Sequence, residues 1–78
     1  MIHYARIEES DRLRRVIRFL RKRPKKGATT REIVHSCDVM NVATCVSEIN
    51  SQPGGERIVC TYERTTQDGR RVYRYRIA

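Results

Sequence analysis

"TTREIVHSCDVMNVATCVSEIN", Thr29 to Asn50, decides the fold, because it holds two short amphipathic runs with a break between them. Thr29 followed by Glu32 makes a capping box, in which each residue satisfies an orphan amide of the other's turn. Ile33, Val34 and Cys37 then give the first run an apolar face at helical spacing, for about two turns. Asp38 through Met40 form the turn. Asn41 can cap the second run, whose stripe is Val42, Cys45, Val46 and Ile49. "QPGG", Gln52 to Gly55, ends it, since proline and glycine continue a helix only at a cost.

Upstream, Leu13, Val16, Ile17 and Leu20 repeat at the i, i+3, i+4, i+7 spacing of an amphipathic helix over about Asp11 to Lys22. Ser10 is its N-cap, Asp11 suits the positive end of the helix dipole, and Arg21 to Arg23 suit the negative end. Pro24 stops it. Downstream, "ERIVCTYERT" and "RRVYRYRI" flank "TQDGR", and Asp-Gly between two such runs is a strong hairpin signal. With Asp68 and Gly69 as the turn, Arg64 pairs with Tyr73, Tyr62 with Tyr75 and Cys60 with Ile77. Glu63 then meets Arg74 and Thr61 meets Arg76. That register puts Ile58, Cys60, Tyr62, Tyr75 and Ile77 on one face and a charged set on the other.

The expected architecture is one α+β domain over residues 1–78, a three-helix bundle followed by a two-stranded antiparallel hairpin in the order α-α-α-β-β. A short extra strand at Ala28 or Thr29, and an extended segment at "IHYARI", stay open as additions. A hairpin and short helices are marginal alone, so each needs the other's apolar face.

Seventeen Lys and Arg against nine Asp and Glu give a net charge of +8 and a pI near 10.1, which points to a polyanionic partner. Its distribution is uneven: residues 1–26 carry +7, residues 27–56 carry −3 and residues 57–78 carry +4. No Arg or Lys lies between Val42 and Gln52, so the third helix is flanked by charge without carrying it.

Two short consecutive helices, the second capped by Asn41, followed by a hairpin in a basic chain, resemble a winged helix-turn-helix domain. "HYARIEESDRLRRVIRFL" with "TTREIVHSCDVMNVATCVSEI" further resembles small helix-turn-helix proteins of bacterial genomes and their prophages. The resemblance implies a regulator of transcription that binds double-stranded DNA, with helix 3 in the major groove and the hairpin as a wing on the backbone. The usual glycine of the turn is missing; Asp38 there tolerates a left-handed backbone better than most residues.

On the wheel of helix 3, Asn41, Thr44, Ser47, Glu48 and Ser51 point outward and are the candidate base-facing residues. Asn can bond adenine in bidentate fashion, and Ser or Thr can reach bases or phosphates. The candidate phosphate contacts are Lys25, Lys26, Arg31, Arg64, Arg70 and Arg71, in the loop "RKRPKK", the first turn of helix 2 and the wing. Clamping four to six phosphates implies a salt slope of roughly −4 to −5. "RKRPKK" also fits a nuclear localisation patch. Arg12 and Arg15 read as a solvated outer face, and Tyr62 and Tyr75 as core, with Tyr73 beside Arg64 and Arg71 as the exception.

No catalytic, metal or cofactor site is expected. His3 and His35 stand without a carboxylate pair or a nucleophile, and "QPGGE" opens no helix after a strand. Cys37, Cys45 and Cys60, spaced by 8 and 15, fit neither a zinc set nor a disulfide framework and read as reduced, buried small hydrophobes. "MIHYARIEESDRLRR" has no apolar signal core and no run reaches the ~18 apolar residues of a membrane span, so a cytoplasmic, nucleoid-associated protein is expected. No small-molecule substrate or membrane partner is expected, and no spare helix indicates a homodimer. Two alternatives remain: docking of a protein through Val39, Met40 and the uncharged helix 3, as in an antirepressor, or binding of RNA through Tyr73 and the wing arginines.

Overall fold

The computed structural model describes residues 10–78; the extended segment expected at "IHYARI" lies outside them, as does His3. The element order is α1 (Asp11–Arg21), β1 (Ala28–Thr29), α2 (Thr30–Cys37), α3 (Val42–Asn50), β2 (Ile58–Thr65) and β3 (Arg71–Ile77). This is an α+β fold with three helices and a small antiparallel sheet. The two-residue strand β1 pairs with β3, giving three strands in the order β1-β3-β2. The expected order α-α-α-β-β is therefore corrected to α-β-α-α-β-β, with the additional strand at Ala28.

The helix ends obey the local chemistry. Ser10 accepts the Leu13 amide at the start of α1. Thr29 and Glu32 close the capping box of α2, the Thr29 hydroxyl accepting the Glu32 amide at 3.2 Å and the Glu32 carboxylate accepting the Thr29 amide at 2.9 Å. Asp38, at φ 53°, is the left-handed residue that ends α2, doing what a glycine does in tighter turns. Asn41 caps α3 by accepting the Thr44 amide at 3.0 Å. Gly27, at φ +64°, is required by close approach: a Cβ there would collide with the Tyr75 carbonyl where β1 meets β3.

Leu13, Val16 and Leu20 of α1, Ile33 of α2 and Ile49 of α3 are fully buried together, and Ala28, Ile58 and Tyr75 close the core from the sheet. The four-residue stripe of α3 is buried throughout. Val34 is not; at 39% exposure it faces outward from α2. Asn50 joins α3 to the sheet, its amide donating to the Ile58 carbonyl at 3.0 Å and its oxygen accepting the Ile58 N–H at 2.8 Å.

The hairpin departs from the expected register by two residues. Ile58 pairs with Ile77, Cys60 with Tyr75, Thr61 with Arg74 and Tyr62 with Tyr73. One residue of shift arises at the tip, where Gly69, at φ +89°, donates to the Thr66 carbonyl and the Thr66 amide donates to the Arg70 carbonyl. That is a three-residue loop with glycine left-handed, in place of a two-residue turn. The second arises at a bulge around Glu63, past which Arg64 lies opposite Val72. Two odd shifts make an even one, so the apolar face survives. Its outer end does not become core, however: Tyr62 and Cys60 are exposed, because the helices cover only the base of the sheet. Burial of Cys60 and core packing of Tyr62 are thus corrected. Tyr73 is the half-buried one, packing on the core and edge-on to Tyr62 with ring centroids 6.0 Å apart.

Candidate nucleic-acid interface

Four of the six arginines and lysines expected to touch phosphate border one groove of about 430 Å³ between α2 and the hairpin tip. Arg31 comes from the first turn of α2, and Arg64, Arg70 and Arg71 from the hairpin, over a floor that includes Val34 and Tyr73. The bulge and the short β1 explain the convergence. β1 pairs only with Arg74 and Tyr75, leaving the outer part of β3 uncovered where α2 begins. Arg64 pairs with Glu63 at 3.1 Å, whereas Arg31, Arg70 and Arg71 form no ion pair among the described residues. The Asp68 carboxyl beside them is held below its ordinary pKa, first by the Thr66 hydroxyl and also by Arg70, so it stays an anion at the tip.

Lys25 and Lys26 are exposed but do not line that groove. Their loop is pinned by Arg74, whose guanidinium donates to the Lys26 carbonyl at 3.2 Å and to the Glu63 carboxylate at 2.7 Å. Glu63 and Arg74 therefore meet as the charged face predicted, diagonally rather than straight across. Arg74 also lies 3.7 Å from Glu32, which accepts Arg23 at 3.0 Å. The Thr29 amide, followed by Arg23, holds the Glu32 carboxyl down at about 2.

Of the candidate base-facing residues, Thr44 and Ser47 are exposed as expected. Asn41 is exposed too, but its oxygen already accepts the Thr44 amide, so what it offers outward is its amide N–H groups rather than a bidentate pair. Ser51 is exposed at the C-cap with its hydroxyl donating to the Glu48 carbonyl at 2.8 Å. Glu48 is a correction. It is buried at 7% exposure, its carboxylate accepting Arg12 at 2.7 Å. Arg12 also reaches the Cys45 sulfur at 3.3 Å. A carboxylate at that depth needs a cation, and α1 supplies it.

Arg12, its side chain still 39% exposed, is accordingly more than a solvated residue, and so is Arg15: its Nε donates to the Cys37 carbonyl at 2.8 Å, satisfying a free carbonyl at the end of α2. Val39, expected at an exposed turn, is buried at 5%. Met40 beside it is fully exposed. Ala43, which the polar bias of the wheel reading passed over, is exposed on the same face as Thr44 and Ser47. Helical phase alone identifies it.

Cys37 and Cys45 are buried and Cys60 is exposed, and all three are free; burial pushes the Cys37 thiol up. Among the described residues no group of three or more His, Cys, Asp and Glu side chains is placed to hold a metal, and no helix is long and apolar enough to cross a membrane. No family model, curated protein or solved structure matches this chain significantly.

Proposed function

We propose that the chain is a winged helix-turn-helix protein that binds double-stranded DNA, α3 lying in the major groove and the hairpin acting as the wing. The α-β-α-α-β-β order and the β1-β3-β2 sheet are compatible with that fold. The observation that carries the reading is the arginine-lined groove: side chains of α2 and the hairpin converge there, with Glu63 paired to Arg64 and Asp68 near Arg70 as the acids beside the four arginines. Their mutual repulsion is relieved by a polyanion, and the release of that polymer's counterions drives association. The uncharged, exposed face of α3 supplies the complementary part, short side chains that fit a groove. A small transcriptional regulator of the bacterial or prophage kind, acting at the nucleoid, is the role such a molecule fits.

The two alternatives keep part of their basis. Protein docking at the turn retains Met40 but loses Val39 to the core, and RNA stacking retains Tyr73 beside the wing arginines, as a half-buried ring on the floor of the groove and edge-on to Tyr62. Anisotropy titration of duplex DNA and structured RNA against salt tests the reading. Duplex preference with a slope of roughly −4 to −5 is expected, with amide shifts confined to α2, α3 and the hairpin. Preference for RNA, or a slope near zero, overturns it.

A further inference from the structure

We propose that α3 is a reader of A·T pairs through thymine methyl groups, an inference that rests on the DNA-binding reading above and specifies its target. Each base pair displays a distinct edge in the major groove, and each edge calls for particular side chains. Guanine is read most often by Arg or Lys, bidentate to O6 and N7. No Arg or Lys occurs from Glu32 to Glu56. Cytosine N4 calls for a carboxylate acceptor. The one carboxylate of α3, Glu48, is buried beneath Arg12 at 2.7 Å and is withdrawn from the exposed face. Both G·C-specific pairings are therefore missing from α3 itself, and the guanidiniums that border its leading end, Arg12 and Arg15 of α1, are turned to Glu48 and to the Cys37 carbonyl.

What the face does present is methyl groups beside weak donors. Ala43, Thr44, Ser47 and Ser51 span about 100° of arc at the angular step of an α-helix, and all are exposed. Met40, just before the cap, is 100% exposed, which places an unshielded thioether methyl at the leading end of that face. Thymine is the base with a C5 methyl in the major groove, and Ala, Thr and Met meet it by apolar contact. Asn41, with its oxygen accepting the Thr44 amide, offers amide protons that N7 of either purine accepts, so it positions the helix without choosing the base. The base-selective chemistry left on α3 is apolar contact, and the thymine methyl is what it fits.

Selection from a randomised duplex pool with the full chain is expected to return sites with A·T pairs at their centre. In a selected duplex, replacing a central thymine by uracil removes the methyl and leaves the base-pairing edge intact. Affinity is expected to fall roughly four-fold for each methyl in contact. Thr44→Ser keeps the hydroxyl and drops the side-chain methyl, so it lowers the thymine-to-uracil ratio while the protein stays folded. Ser47→Arg introduces a guanine reader and shifts one selected position to G·C. Duplex binding that is indifferent to uracil, or a G·C-centred selected site, overturns the inference and leaves the DNA-binding reading standing. Failure to bind any duplex overturns both.

Discussion

The arginines of α1 and those of the hairpin are the same side chain put to opposite uses. Along α1 nearly every guanidinium is consumed within the molecule: Arg12 on Glu48, Arg14 on Asp11, Arg15 on the Cys37 carbonyl and Arg21 on Glu56. Arg23, just beyond, stacks over Phe19 and pairs with Glu32. At the hairpin tip Arg70 and Arg71 have no ion pair among the described residues and border a groove with Arg31. The N-terminal third holds the larger formal charge, yet most of the arginines of α1 are turned to partners inside the molecule. Where the acids sit in space, rather than how many cations a segment carries, decides which surface remains available to a partner.

The contrast breaks most visibly at Arg12. Arg12→Ala leaves Glu48 in the core boundary without its cation, a loss of about 1–3 kcal/mol. Thermal unfolding should register it as a drop of roughly 4–8 °C per kcal/mol, and adding Glu48→Gln should restore much of it. If Arg12→Ala melts like the parent, α1 is a solvated basic face after all. Next in size, Arg70→Ala with Arg71→Ala should weaken binding to all duplexes alike, on the order of ten-fold, and flatten the salt slope by about 1 to 2. Stability should hardly move. Unchanged affinity and slope would remove the hairpin from the interface.

Glu32 sharpens the comparison through pH, because it takes the charge of Arg23 and Arg74 internally. Its folded pKa of about 2 is below its unfolded value, which is ~4.3. Its stabilisation is therefore complete above the unfolded value and disappears as pH falls through about 2. Glu32→Gln keeps a capping side chain without the titration. Denaturation midpoints of parent and variant should differ near neutrality and converge at low pH; a constant gap would show that the carboxylate's charge contributes nothing. The smallest effect belongs to Arg14→Ala, which removes an exposed i,i+3 pair with Asp11 and should change stability by no more than ~0.5 kcal/mol. A larger loss in a chemical melt would mean that surface pairs on α1 matter as much as the buried one.

The helices were legible because their signals are local. The Thr29–Glu32 box, the Ser10 and Asn41 caps and the left-handed Asp38 each act within one turn of chain, and the stripes fix which side is inward. The arginine groove was legible in composition, since its members were all expected to seek phosphate, but not as a place. The misses are contacts over long separations. Arg12 and Glu48 lie 36 residues apart, and Arg15 and Cys37 lie 22 apart. No periodicity within one helix reveals that a neighbouring helix will present a guanidinium to its polar side. Cys60 and Tyr62 followed the correct alternation and still ended exposed, because alternation assigns a face without saying how far along the strand that face is covered.

The bulge at Glu63 and the glycine-closed loop at the tip carry a consequence for how this hairpin can change in length. Each adds one residue to the hairpin without moving a strand to its other face, because the bulge sets two residues of β2 against one of β3 and the loop closes on Thr66 and Arg70. A change of length at either place is therefore absorbed at the outer end, where Arg64 meets Val72, while the pairing of Cys60 with Tyr75 at the base stands. The tip can vary in length without disturbing the core it grows from.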